Sequence, residues 1–126
     1  MSVLTQSPTM GDVLKYEVNP NYTRETVTLL AGTAYPVGAV LGRITASGKY
    51  KLATSGGSDG AQTAAAVLLY ATDATLADAV GVVILRGPAI VSKSALIFDA
   101  SVDDAAKTAT KHNQLVALGM IPRDAA

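Results

Sequence analysis

No unbroken apolar run in this 126-residue chain exceeds eight residues before a polar or turn-forming residue interrupts it. Eleven glycines and five prolines supply much of that punctuation. A chain divided so often reads as many short strands joined by turns rather than as long helices. Glu25–Leu30 alternates Val27 and Leu29 with Thr26 and Thr28, the period of a half-buried strand. Ala31–Gly42 is a glycine- and proline-broken loop entering a strand at Ala39–Thr45. The turn Ala46-Ser47-Gly48 then leads into Lys49–Ala53, which predicts a hairpin.

Thr54–Ala61 is a Gly/Ser loop, and Ala64–Tyr70 reads as a strand covered on both faces. Turn residues at Asp73–Asp78 precede a β-branched strand, Ala79–Arg86. Ala89–Ser92 and Ala95–Phe98 read as two more short strands. One helix follows, with Ser101 as the expected N-cap and Gly119 closing its end. Val102, Ala106, Ala109, Asn113 and Val116 would form its packed stripe, with Lys107, Lys111 and Gln114 toward water. The first 23 residues differ from all of this: they are polar, broken by Pro8, Gly11 and Pro20, and carry no sustained period. Ordering a residue costs about 1–2 kcal/mol of backbone entropy, so such an arm must dock on the body or a partner, or stay disordered. The expected fold is α/β, mainly β: a compact domain of short strands over 24–126, one C-terminal helix, and an N-terminal arm over 1–23.

Composition excludes several functions. Ten basic and ten acidic residues balance, and no short window gathers more than two of the basic ones, which argues against nucleic acid as a partner. With no cysteine there is no disulfide framework or thiolate chemistry. The apolar runs are far below the ~20 residues of a membrane span, and no basic leader precedes one, so a soluble chain made in the cytoplasm is expected. Of the apolar residues 22 are alanine, with one Phe and no Trp, a core that favours help from oligomerisation.

Candidate chemistry is sparse. His112, the single histidine, has no ligand-spaced partner and reads as a solvated surface residue. Asp99, Asp103 and Asp104 read as a helix-start cluster favoured by the helix dipole rather than a cation site. Ser55–Ala61 lacks the Gly-Lys-Ser/Thr that a phosphate loop needs, and no Gly-x-Ser-x-Gly elbow is present. No metal, cofactor or enzymatic activity is expected.

Several segments, taken in order, resemble the bacteriophage lambda head decoration protein family. They are Ala31–Gly42 (AGTAYPVGAVLG), Ile44–Ala53 (ITASGKYKLA), the Ser58–Ala61 loop, Val82–Ile90 (VVILRGPAI) and Leu115–Arg123 (LVALGMIPR). The resemblance spans about Thr26 to Arg123. It implies a homotrimer on the outer surface of an expanded tailed-phage head, at local threefold positions. There it would cement the major capsid protein shell against DNA pressure, using a mobile N-terminal arm. On that reading Val13, Leu14, Tyr16, Val18, Asn19 and Tyr22 are the candidate capsid contacts. The competing expectation is a virion-surface module for carbohydrate or a host surface.

Overall fold

The computed structural model describes residues 10–124. Elements follow the order α1 (Met10–Val13), β1 (Leu14–Glu17), α2 (Pro20–Thr23), β2 (Arg24–Leu29), β3 (Thr33–Tyr35), β4 (Val40–Arg43), β5 (Tyr50–Leu52) and β6 (Ala64–Leu68). Then come β7 (Thr72–Ala74), β8 (Ala79–Ile84), β9 (Ala89–Ser92), a 3-10 turn at Lys93–Ala95, α3 (Ala105–Ala117) and β10 (Met120–Arg123). The mainly β class with one longer helix near the C-terminus is what the residue pattern predicts.

Five strands close a small barrel in the order β2-β5-β4-β6-β8. Its longest seam is antiparallel, from Arg24 opposite Ile84 to Leu29 opposite Ala79. The predicted hairpin is present as β4–β5, with Leu41 opposite Leu52. The barrel separates two apolar clusters. Leu29, Leu41, Tyr50, Ala66, Leu68 and Val83 belong to one, while Val40, Val67, Ile84, Val91, Leu115 and Met120 belong to the other. Val40 and Leu41 of β4, Val67 and Leu68 of β6, and Val83 and Ile84 of β8 fall into opposite clusters, so these stretches are buried on both faces. That explains the unbroken apolar run in β6, because neither face meets water.

A three-stranded sheet, β1-β9-β10, covers the second cluster together with α3. β1 lies antiparallel and β10 parallel to the central β9. The parallel strand depends on a backbone contact between two glycines. Gly119 ends α3 at φ +88, and a Cβ on Gly87 would overlap the Gly119 carbonyl oxygen. The Gly87 amide donates to Leu118 O at 2.8 Å and the Ala89 amide to Gly119 O at 3.1 Å. With no side chain on Gly87, the helix end seats directly against the start of β9 and β10 runs beside it.

The structure corrects several expectations. Residues 73–78, read as turn, contribute part of β7, which pairs with β3 inside the presumed loop 31–42. The expected strand Ala95–Phe98 is a 3-10 turn followed by an isolated bridge from Ile97 to Ala39. The N-cap of α3 is Asp104, whose carboxylate accepts from the Lys107 amide at 2.8 Å. Ser101 instead donates its hydroxyl to Asp99 at 2.6 Å and accepts the Ser55 amide at 3.0 Å.

The helix is also rotated from its predicted orientation. Ala106, Ala109, Asn113 and Val116 face outward, and Lys111 and Leu115 are buried. Gln114 accepts the Ala64 amide at 2.8 Å, and the Lys111 ammonium donates to Gln62 O. The long polar side chains satisfy backbone groups at the start of β6, which the thin alanine stripe could not do.

Candidate docking face

The described part of the arm, Met10–Thr23, folds onto the body, and residues 1–9 lie outside the described residues. Val13 is fully buried in the cluster between the small sheet and α3. Leu14 packs half-buried against the same cluster. Both are core residues in this structure rather than exposed contacts.

The next residues turn outward because β1 carries a bulge. Leu14 lies opposite Val91, yet Tyr16 lies opposite the neighbouring Ile90, so two steps along β1 match one along β9. Lys15 and Tyr16 are therefore both exposed, and Glu17, opposite buried Ala89, points inward. Residues directly opposite one another share a face of the sheet. Ile121 of β10 also lies opposite Ile90. Tyr16, Ile90 and Ile121 thus form one row across the outer face, with Tyr16 53% and Ile121 45% exposed.

The row continues past the end of β1. The Val18 amide donates to Pro88 O at 3.1 Å, and both side chains are exposed. Asn19 caps α2, its side chain accepting from the Asn21 amide at 2.9 Å, with Pro20 at the first helical position. That cap turns Tyr22 outward beneath Arg86, whose guanidinium lies 5.5 Å from the ring centroid. Arg86 also donates to Tyr22 O and pairs with Glu25 at 3.3 Å. Of the six predicted contacts, Tyr16, Val18, Asn19 and Tyr22 reach the surface. Ile90 and Ile121 were missed, since only the pairing with β1 and β10 places them beside Tyr16.

Behind the face sits a polar clasp. The Glu17 side chain, 8% exposed, accepts the Thr23 hydroxyl at 2.6 Å and three bonds from Arg24, from Nε to its two oxygens at 3.0 and 3.2 Å and from Nη2 at 2.5 Å. Burial raises the Glu17 carboxyl, but the bonds from Arg24 and Thr23 and the Arg24 charge outweigh it and hold the group below its ordinary range.

Among the described residues no three His, Asp or Glu side chains gather closely enough to hold a metal ion. His112 departs from the expected surface histidine: its Nε2 is buried without a hydrogen-bond partner, and its ring lies 5.9 Å from that of Phe98. Burial, with a smaller effect of Lys93, lowers its pKa. Lys49 and Lys51 are half-buried and paired with Asp78 at 2.6 Å and Asp59 at 2.7 Å. No described helix is long and apolar enough to cross a membrane.

Comparison with known families identifies the chain's family. A family model described as bacteriophage lambda head decoration protein D matches residues 3–120. The chain belongs to the lambda head decoration family. Its role is accordingly structural and associated with the viral capsid. No curated protein compared with the chain matches it. For a head decoration protein, a half-exposed apolar row with Tyr and Arg at its margin has the composition found at protein–protein contacts.

Proposed function

We propose that this protein is a capsid cement that binds as homotrimers to the outside of an expanded tailed-phage head, at local threefold positions. The outer face of β1-β9-β10 would meet the major capsid protein. One observation carries the reading: a chain of the head decoration family sets exposed Tyr16 and Ile121 on either side of half-buried Ile90 in a single row. Cementing needs no reactive group. A protein that binds only the expanded shell stabilises it by mass action. Three copies of the face per trimer make the second and third contacts intramolecular, so each can be weak.

Ile121→Glu and Tyr16→Glu place a charge in the row without touching the core. Each is expected to abolish co-sedimentation with expanded capsids while leaving the unfolding temperature and the trimer unchanged. Full capsid binding by both variants overturns the assignment of this face, and loss of the trimer reassigns it to the contact between subunits. The carbohydrate-binding alternative draws on three half-exposed tyrosines, Tyr16, Tyr22 and Tyr70. Glycan binding that survives the Glu substitutions but fails in Tyr22→Ala and Tyr70→Ala variants would favour it.

A further inference from the structure

We propose that Glu17 is a positioning residue, and that its clasp with Thr23 and Arg24 selects the bulged register of β1 which turns Tyr16 onto the docking face. The inference rests on the docking reading for its consequence, though not for its structural content.

A strand as short as β1 has a simpler way to pair with β9. Starting from Leu14 opposite Val91, unbulged pairing would set Lys15 opposite Ile90 and Tyr16 opposite Ala89. Because side chains alternate with period two, a one-residue shift moves each one to the other face. Tyr16 would turn inward and Glu17 outward. The observed strand instead takes a bulge, which leaves an extra residue out of the ladder and needs compensation.

That compensation is visible on the inner side. Glu17 occupies the place opposite Ala89 and receives the Thr23 hydroxyl and the Arg24 guanidinium. Thr23 is itself fully buried, and its hydroxyl also lies 3.0 Å from Asn19 O. A charged, bidentate contact is directional and short, so a carboxylate one residue along could not reproduce it. In the alternative register the Tyr16 ring would enter this polar site, and Arg24 would lose its carboxylate partner. The clasp therefore opposes the unbulged register, which the alternation of Leu14 and Tyr16 with Lys15 and Glu17 would otherwise favour. The Val18 amide bond to Pro88 O extends the selected register beyond the strand.

The test uses the full chain and reads register and capsid binding separately. In the wild type, NMR should show cross-strand contacts between Tyr16 and Ile90. Glu17→Ala and Arg24→Gln should replace them with contacts between Tyr16 and Ala89, or lose β1 pairing, with the β2–β8 contacts unchanged. Capsid affinity should then fall about tenfold or more, as for loss of an anchoring aromatic. Glu17→Gln still accepts bonds from Thr23 and Arg24 and should restore the Tyr16–Ile90 contact. If Glu17→Ala fails to fold, Arg24→Gln decides, since Arg24 is only partly buried. Persistence of the Tyr16–Ile90 contact in the folded variants overturns the proposal. A shifted register with unchanged capsid binding leaves Glu17's positioning role standing and overturns the docking face instead.

Discussion

Gly87 and Lys111 each do something their residue types do not advertise. A Cβ at Gly87 would overlap the Gly119 carbonyl, so Gly87→Ala must push the end of α3 away from β9. Overpacking of this kind costs about 1–3 kcal/mol and occasionally more. Gly56→Ala meets nothing within 4 Å and should be close to neutral, so denaturant midpoints of the two variants form a controlled pair.

Lys111 is 1% exposed and held by two neutral oxygens, Gln62 O and Gln114 Oε1. Burial lowers its pKa from the ordinary 10.5. The unfolded chain therefore binds more protons between the folded pKa and 10.5, and stability rises with pH across that window. Lys111→Met removes the buried charge but leaves the Gln62 carbonyl without that donor, opposing effects of about 1–3 kcal/mol each. The expected result is a small net change at pH 7 and loss of the alkaline rise, checked by urea midpoints at pH 7 and pH 10.

At the scale of elements, α3 and β1 show what caps and clasps contribute. Asp104→Ala removes the side-chain acceptor at the helix start and should cost about 1 kcal/mol. It should also shorten α3 by helix content measured with circular dichroism. Ser101→Ala should leave the helix length unchanged, since Ser101 lies outside its first turn. The depressed Glu17 pKa gives β1 an acid limit. Its contribution is fully present above the ordinary value of 4.5 and is lost as pH falls through the lower folded value. Hydrogen exchange of the β1 amides should accelerate there before the barrel strands respond, and Glu17→Gln should lack that step.

Across the whole molecule, the arm and the domain are less separable than an aperiodic N-terminus suggests. Deleting Met1–Thr23 removes β1, the buried Val13 and the carboxylate partner of Arg24, so the truncated chain should unfold at a lower temperature. Its failure to bind capsids would not by itself locate the contact, whereas Ile121→Glu would. Trimers that co-sediment with expanded heads and raise their resistance to heat are the expected outcome for the intact protein.

The chain's own order of residues determined the local elements whose period is long enough to read. These include the β2 alternation, the β4–β5 hairpin, the double-sided burial of β6 and the Gly119 stop after α3. Short-range physics decides such features, because side-chain spacing and backbone freedom act within a few residues. The capsid role was legible only through the order of family-like segments, not through any reactive group. The tertiary structure alone decided which face of α3 is buried, since Lys111 and Gln114 turn inward to meet carbonyl and amide groups about 50 positions away. It also decided the proposed docking row. Tyr16, Ile90 and Ile121 stand far apart in the chain, and only the bulge in β1 and the glycine contact beside β9 bring them onto one face. Long-range pairing and register set that arrangement, and no local period encodes them.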